Sequence, residues 1–214
     1  MPLLRFRIWR FIFIKYLRLT RRDIDFFYGE CFANLSWRDK IWAGNFCDLM
    51  LGVFNPRSVV DFGCGIGDIL YQFERKGIDI LGIDASKVCH KYAKISKGNF
   101  LLFDLRNNFY SPGKYDIALC LEVAEHIEEK YSDILVRNIT QSSPVIVFTA
   151  APPGQGGMDH CNEKPREWWI DRFQKQGFDI NQHLTDALRK ELINFPGILE
   201  LEHYVKNMMV FLKR

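Results

Sequence analysis

Hydrophobic residues follow two different patterns along the chain, with a change near residue 55. From Ser58 onward, short runs of β-branched and other apolar residues alternate with longer amphipathic stretches. This alternation is typical of βαβ units, in which parallel strands are covered by helices on both faces. It predicts strands at Ser58–Phe62, Ile80–Ile83, Phe100–Phe103, Tyr115–Cys120, Val145–Thr149, Phe178–Ile180 and Tyr204–Leu212, the last of them antiparallel at an edge. The predicted helices occupy residues 67–76, 86–96, 123–140 and 165–176.

The pattern before residue 55 is helical. Residues 24–54 are rich in aromatic residues and predict two helices, the second of which ends before Pro56. The whole pattern predicts an α/β fold, a three-layer αβα sandwich with a mostly parallel seven-stranded sheet whose last strand is antiparallel. We therefore expect an N-terminal helical cap at residues 1–54 and one α/β domain at residues 55–214.

Residues 1–22 predict an amphipathic basic helix. At the helical repeat, eight apolar residues fall on one face, namely Phe6, Ile8, Trp9, Ile12, Phe13, Tyr16, Leu17 and Leu19. The opposite face is basic, with Arg7, Arg10, Lys15, Arg18, Arg21 and Arg22. Three interpretations fit this pattern: a helix on an anionic membrane surface, a packed element with solvated charges, or an organelle transit peptide.

The charge of the chain is unevenly distributed. Of its 29 basic residues, seven lie in residues 1–22, which contain no acidic residue. Residues 23–214 therefore have 22 basic and 26 acidic residues, so we do not expect nucleic acid as a partner. No apolar run approaches the roughly 20 residues of a membrane-spanning helix. We expect a cytoplasmic protein, with residues 1–22 as a candidate contact to an anionic inner membrane face.

A glycine-rich turn follows the first predicted strand. The stretch Val59–Asp68 reads V-V-D-F-G-C-G-I-G-D, a strand that runs into a turn and then a helix. Glycines let the backbone approach a ligand closely, and a helix N-terminus offers unpaired N–H groups. A dinucleotide site is typically G-x-G-x-x-G, whereas here the third glycine comes one residue early and an acid, Asp61, ends the strand. This arrangement favours a cationic ligand over a pyrophosphate.

Two further acids end the next two predicted strands. Asp84 follows Gly63 by 21 residues, where a carboxylate accepts hydrogen bonds from ribose hydroxyls, and Asp104 ends the third strand. Acids at the carboxyl ends of successive parallel strands line the crevice in which such sheets bind ligands. Each acid alone is equally consistent with a helix cap or a loop residue.

Together these residues resemble the class I S-adenosylmethionine-dependent methyltransferases. The family's D-x-G-x-G-x-G signature is present as Asp61, Gly63, Gly65 and Gly67, and Tyr115–Ile127 resembles its fourth-strand motif. The resemblance covers residues from about 55 to 214 and implies a Rossmann-like fold with S-adenosylmethionine as the cofactor. The cofactor-binding residues that it implies are Asp61, Gly63, Cys64, Gly65, Gly67, Asp84, Ala85, Asp104, Leu105, Leu121 and Glu122.

The candidate chemistry follows the fourth and fifth strands. Glu122, Glu125 and His126 form E-x-x-E-H, and these positions share a helical face if a helix begins where the strand ends. The fifth strand opens into a Gly/Pro loop over Ala150–Glu163, the usual place for an acceptor-binding loop, and this loop contains His160.

Three interpretations of these residues remain open. In the first, His160 is a general base for a hydroxyl acceptor, with Glu122 and His126 as further catalytic candidates. In the second, Glu122, Glu125, His126 and His160 bind a divalent cation that holds a vicinal diol, as in the metal site of small-RNA 2′-O-methyltransferases, which they resemble. In the third, the acids line the cofactor pocket and His126 packs or caps a helix.

The acceptor is predicted from one further resemblance. Thr149–Gly157, followed by His160 and Trp168-Trp169, resembles a subgroup of these methyltransferases associated with polysaccharide synthesis. This implies O-methylation of a sugar, a glycan or another polyhydroxylated small molecule, with the tryptophan pair as a candidate stacking surface. The alternatives are a quinone, lipid or RNA ribose acceptor, or a non-catalytic cofactor-binding subunit of a partner enzyme. The oligomeric state is not predicted.

Overall fold

The computed structural model describes residues 42–157, 159–195 and 202–214. Within them, helix α1 covers residues 42–54. The further helices are α2 (Asp68–Glu74), α3 (Lys87–Lys91), α4 (Ser132–Ser142), α5 (Arg166–Lys175), α6 (Gln182–Leu192) and α7 (Glu202–Asn207). The predicted basic helix at residues 1–22 and the first of the two helices in residues 24–54 lie outside the described residues.

Seven strands form one sheet in the order β3-β2-β1-β4-β5-β7-β6. They are β1 (Ser58–Phe62), β2 (Asp79–Asp84), β3 (Phe100–Leu102), β4 (Ile117–Leu121), β5 (Val145–Thr149), β6 (Phe178–Ile180) and β7 (Met209–Lys213). The pairs among β1 to β5 are parallel, and β7 is antiparallel to both of its neighbours. The predicted Rossmann-like αβα sandwich with an antiparallel last strand is confirmed.

The order of the strands locates the ligand crevice. The chain moves outward from β1 through β2 to β3 and then returns to place β4 on the other side of β1. The topology therefore switches direction between β1 and β4, and ligands of open α/β sheets bind beyond the carboxyl ends of the strands at such a point.

Buried side chains cover both faces of the sheet. One cluster includes Trp42, Phe46 and Met50 of α1, so this helix packs on the α/β domain with its aromatic side chains. The other cluster includes Phe148 and Trp169. No helix in the described part of the chain is long and apolar enough to cross a membrane.

The predicted helix at residues 123–140 is wrong in its first half. Two short 3-10 turns occupy Ala124–His126 and Glu129–Tyr131, and the α-helix begins only at Ser132. The carbonyl of Glu125, which a helix would bond within itself, instead accepts the N–H groups of Cys161 and Asn162 at 2.8 and 3.1 Å. The acceptor loop thus takes over the hydrogen bonds that would have continued the helix.

Three other elements differ from the predictions. The helix expected at residues 86–96 ends at Lys91, after which the N–H of Lys94 donates to the carbonyl of Ile66 at 2.8 Å. The strand expected from Tyr204 begins at Met209, because residues up to Asn207 form α7. Helix α6 was not predicted, although its apolar residues recur at four-residue intervals after Asn181, whose side chain caps the helix.

Candidate functional site

The glycine turn joins β1 to α2 at the switch point. Gly63, Gly65 and Gly67 have φ values of 83°, 56° and 80°, in the left-handed region that favours glycine. The N–H groups of Gly63 and Cys64 both donate to the carbonyl of Ile83, which ties the turn to β2. A side chain at Gly63 would also overlap Val123, which follows β4. The turn is therefore fixed between β2 and β4, with its backbone open to a ligand.

Asp84 holds the glycine turn from the end of β2. Its Oδ2 accepts the N–H of Gly65 at 2.9 Å, and its Oδ1 accepts the N–H of Ser86 at 2.8 Å. Ala85 lies between Asp84 and Ser86 in the sequence. Because each carboxylate oxygen has two lone pairs, Asp84 retains acceptor capacity for ribose hydroxyls.

Asp61 ends β1 beneath the same turn and is only 4% exposed. Its neighbours across the sheet are Gly82 of β2 and Leu119 of β4. Burial, and to a smaller extent the charge of Asp84, raises the pKa of Asp61 to about 7. The free protein therefore holds a proton at Asp61 over much of the range below neutral pH.

We expect cofactor binding to release this proton. A cationic ligand beside Asp61 stabilises its carboxylate and lowers its pKa, so the affinity for S-adenosylmethionine should rise with pH up to about pH 7 and then level off. Calorimetry at neutral pH in two buffers of different ionisation enthalpy would measure the release, which should approach but not exceed about half a proton, because a group with a pKa of about 7 is half protonated there. S-adenosylhomocysteine, which lacks the sulfonium charge, and Asp61→Asn are the controls, and both should release less. Equal heats in the two buffers would contradict this prediction.

Asp104 and Leu105 follow β3 on the far side of the crevice. Arg106 donates hydrogen bonds from its Nε and Nη2 atoms to the Asp104 carboxylate, and these bonds lower the pKa of Asp104. Asn138 of α4 is 1% exposed and holds this loop by donating to the carbonyls of Leu105 and Asn107 and accepting the N–H of Phe109. No sequence pattern marks Asn138, because an asparagine within a helix is usually solvated.

Leu121 and Glu122 lie where β4 ends in the crevice. Leu121 is buried, whereas Glu122 has a positive φ of 54° and donates its N–H to Thr149 Oγ1 at 2.8 Å. The Glu122 carboxylate accepts hydrogen bonds from Asn207 at 3.0 Å and from Gln155 at 3.2 Å, and Asn207 also donates to Gln155. Asn207 and Gln155 are thus partners of the candidate site residue Glu122, and the sequence analysis did not identify either partner.

Glu125, His126 and His160 form a cluster beside Glu122. One potential ligand atom from each of the three residues lies within 4.8 Å of the others, and the imidazole rings meet edge to face at a centroid distance of 4.9 Å. The structure therefore brings together three of the four predicted metal ligands. The fourth, Glu122, is adjacent, but it does not share a helical face with the others, because the predicted helix is a 3-10 turn.

The carboxyl group of Glu125 is fully buried, and neither of its oxygens has a hydrogen-bond partner among the residues that the structure describes. The backbone N–H groups of Glu125 and Ala151 lie near this carboxyl group and act to lower its pKa, although neither makes a hydrogen bond of normal geometry. Burial, and then the neighbouring Glu122, raises the pKa of Glu125 to about 8. A buried carboxyl group without a partner is costly, so a ligand with positive charge or a hydrogen to donate would stabilise it.

The two histidines differ in their surroundings. His126 has part of its ring exposed, and the protein around the ring, followed by the neighbouring His160, lowers its pKa below the usual value. The lowered pKa keeps His126 neutral near pH 7, as a ligand or a proton acceptor must be. His160 instead places its Nδ1 atom 2.9 Å from Oε1 of Glu163, a residue that the sequence analysis did not single out.

The tryptophan pair is not an open stacking surface. Trp169 is fully buried and packs on Phe148, while the Trp168 ring is covered by the guanidinium of Arg172 and flanked by Lys164. The prediction that the tryptophan pair offers a stacking surface is therefore wrong for Trp169, which belongs to the core, and the ring of Trp168 already stacks on a cation.

Comparisons with known proteins agree with this geometry. Residues 36–178, more than half of the chain, match the family described as a methyltransferase domain. The ubiquinone biosynthesis O-methyltransferase of Nitrosomonas europaea is 30% identical over 99 residues, which are 42% of this chain and 41% of that protein. The chain spans about two fifths or less of the curated relatives it matches.

Solved structures share the fold at lower identity. A TehB-like S-adenosylmethionine-dependent methyltransferase from Corynebacterium glutamicum superposes with a TM-score of 0.61 at 18% identity, covering 89% of this chain and 98% of that chain. Magnesium protoporphyrin IX methyltransferase from Synechocystis, solved with bound S-adenosylmethionine, gives a TM-score of 0.54 at 19% identity over 69% of this chain and 72% of that chain. With its glycine turn, its three strand-end acids and the family match over residues 36–178, the chain belongs to the class I methyltransferases, whose cofactor is S-adenosylmethionine.

Proposed function

We propose that this chain is an O-methyltransferase that transfers the methyl group of S-adenosylmethionine to a hydroxyl group. The observation that supports it is the cluster of Glu125, His126 and His160, which lies next to Glu122 at the carboxyl end of β4. S-adenosylmethionine, when bound, supplies the methyl group as a sulfonium. Methyl transfer to a hydroxyl also requires a proton acceptor close to the acceptor oxygen.

His160 is the residue that we assign to the proton. Its Nδ1 atom is engaged by Glu163, so its other nitrogen is the one left to take the hydroxyl proton as the new bond forms. The resulting imidazolium would remain hydrogen-bonded to the Glu163 carboxylate, which stabilises the charge. Glu125 is a poorer candidate for this base in the absence of a bound cation, since burial and the neighbouring Glu122 raise its pKa.

The same cluster fits a divalent cation. Glu125 would contribute its unpartnered carboxylate, His126 and His160 their imidazole nitrogens, and the hydrogen bond from His160 to Glu163 resembles the carboxylate contacts that orient metal-bound histidines. A cation there would supply Lewis acidity toward two neighbouring oxygens of one acceptor. Glu122 would join only after giving up its hydrogen bonds with Asn207 and Gln155.

For the acceptor, we propose a sugar, glycan or other polyhydroxylated small molecule. Glu122, Asp159 and Glu163 lie next to members of the cluster, so acidic side chains line the acceptor side and disfavour a phosphorylated group next to the reacting hydroxyl. The similarity to a ubiquinone biosynthesis O-methyltransferase makes a quinone precursor with adjacent oxygens the second candidate. Residues 1–22 would hold the protein at the inner membrane face if the acceptor is carried on a lipid, and this remains a proposal.

The experiment that tests this function is a labelled methyl-transfer screen with the full chain. Nucleotide sugars, lipid-linked glycans, quinone precursors and RNA serve as acceptors, and transfer to a hydroxyl of one class is the expected result. Cofactor binding without transfer to any acceptor, combined with stimulation of a second enzyme, would instead indicate a non-catalytic subunit.

The metal assignment has its own test, in which binding is measured without turnover. We expect Mn²⁺ to bind wild-type protein in a calorimetric titration and Glu125→Gln to bind it at least about tenfold more weakly, because the variant loses a charged ligand. Glu129→Gln is the matched control, since Glu129 is a surface acid paired with Lys164 outside the cluster. Identical Mn²⁺ binding in all three proteins, or activity that a strong chelator does not change, would contradict a metal at this site.

A further inference from the structure

Glu163 connects His160 to the loop around it. Its Oε1 atom lies 2.9 Å from Nδ1 of His160 and accepts the N–H of Gly156 at 2.8 Å, while its Oε2 atom accepts the N–H of Gly154 at 2.8 Å. Both glycines have positive φ, at 86° and 68°. One carboxylate thus satisfies two backbone amides of the acceptor loop and one nitrogen of the imidazole.

These contacts decide which nitrogen of His160 carries a hydrogen. Both oxygens of the Glu163 carboxyl group accept a backbone N–H, from Gly154 and from Gly156, and donors on both oxygens favour the ionised carboxylate. An ionised carboxylate only accepts hydrogen bonds, so the Nδ1 atom of a neutral His160 must be the donor. The lone pair of the ring then lies on Nε2.

Gly157 fixes the ring from another side. A Cβ atom at this position would overlap the Nε2, Cε1 and Cδ2 atoms of His160, so the imidazole can lie where it does only because residue 157 has no side chain. The backbone of Gly157 does not have the positive φ that would itself require glycine. The close approach of the ring is therefore the reason for a glycine here.

We propose that Glu163 is a positioning residue, which holds the neutral His160 in the tautomer with hydrogen on Nδ1 and so leaves the Nε2 lone pair for the acceptor hydroxyl or a cation. This inference rests on the proposed function for its consequence in catalysis. The tautomer itself is independent of any acceptor. Glu163 acts through His160 and the loop, without contact with the reacting atoms.

The direct test is the tautomer of His160 in cofactor-free protein, measured by two-bond ¹H–¹⁵N correlation spectra of histidine-labelled protein at a pH where the ring is neutral. His160→Ala assigns the signal among the five histidines. We expect a protonated Nδ1 and an unprotonated Nε2 in wild type, and a growing population of the reverse tautomer in Glu163→Ala. A wild-type ring with hydrogen on Nε2, or the same tautomer in both proteins, would overturn the proposal.

Kinetics then separates positioning from a merely structural role. Outer carboxylate partners of such histidines typically change activity or metal affinity by about 10–100-fold, so we expect Glu163→Gln to lower kcat by roughly that factor with KM for S-adenosylmethionine unchanged. Glu129→Gln, which removes a surface carboxylate paired with Lys164, should leave kcat unchanged. Parallel losses of kcat, cofactor affinity and thermal stability in Glu163→Gln would show a structural role only.

Gly157→Ala provides a second variant that leaves Glu163 intact. The added methyl group must displace the His160 ring, so we expect a loss of kcat and a changed tautomer population with cofactor affinity preserved. Gly113→Ala is the control, because a Cβ there meets no atom of the described part of the chain within 4 Å. If methyl transfer is never found but the tautomer depends on Glu163, the proposed function fails while this inference stands. If transfer is found but the tautomer does not depend on Glu163, the proposed function stands while this inference fails.

Discussion

We expect His160→Ala to lower kcat for methyl transfer by about 10²–10⁴-fold, the usual contribution of a general base. The reason is that the variant has no group in place of His160 to take the hydroxyl proton while the new bond forms. The affinity for S-adenosylmethionine should not change, because the contacts that hold the glycine turn and Asp84 do not involve His160. Steady-state kinetics with a fixed acceptor and calorimetry with the cofactor measure the two quantities separately.

The pH dependence of the residual rate distinguishes a lost base from a damaged loop. If His160 takes the proton, part of the rate in His160→Ala should return at high pH, where the acceptor hydroxyl ionises without help. His183→Ala, at an exposed position on α6, is the control and should behave as wild type. A wild-type kcat in His160→Ala would remove both roles that we assign to this side chain, as base and as cation ligand.

The cofactor half of the site could be predicted because it is local in the sequence. Asp61, the three glycines and Asp84 lie at the ends of β1 and β2, where a short motif fixes the turn and the parallel sheet brings the strand ends together. The structure adds the hydrogen bond from the N–H of Gly65 to Asp84, and it shows that Asp61 is buried. This burial, and to a smaller extent the charge of Asp84, raises the pKa of Asp61.

The acceptor half could be predicted only in part, because its contacts join distant segments. The spacing of Glu122, Glu125 and His126 predicts a shared helical face if a helix begins where β4 ends, but the Glu125 carbonyl instead accepts the N–H groups of Cys161 and Asn162, and this segment is a 3-10 turn. The partner of Glu122, Asn207, is 85 residues away on α7, which was expected to be a strand. Residues such as these take their roles from tertiary hydrogen bonds, and local patterns carry no information about them.

The second large effect concerns the cofactor. We expect Asp84→Ala to weaken binding of S-adenosylmethionine by at least about 10²-fold, since two hydrogen bonds from ribose hydroxyls to a carboxylate are worth about 1.5–3 kcal/mol each. The variant also removes the acceptor for the N–H groups of Gly65 and Ser86, which loosens the glycine turn before the cofactor arrives. Calorimetry with S-adenosylmethionine and thermal unfolding of the cofactor-free protein measure these two effects.

Asp79→Ala is the matched control, because Asp79 is an exposed acid at the opposite end of the same strand. It should leave cofactor affinity unchanged. Asp84→Asn keeps the size of the side chain but loses one acceptor, since the amide oxygen can accept only one of the two backbone N–H groups and the NH₂ group, a donor, faces the other. We therefore expect Asp84→Asn to bind the cofactor as weakly as Asp84→Ala. Wild-type affinity in either Asp84 variant would exclude Asp84 as the ribose-binding acid, and the ribose would then have to bind away from the end of β2.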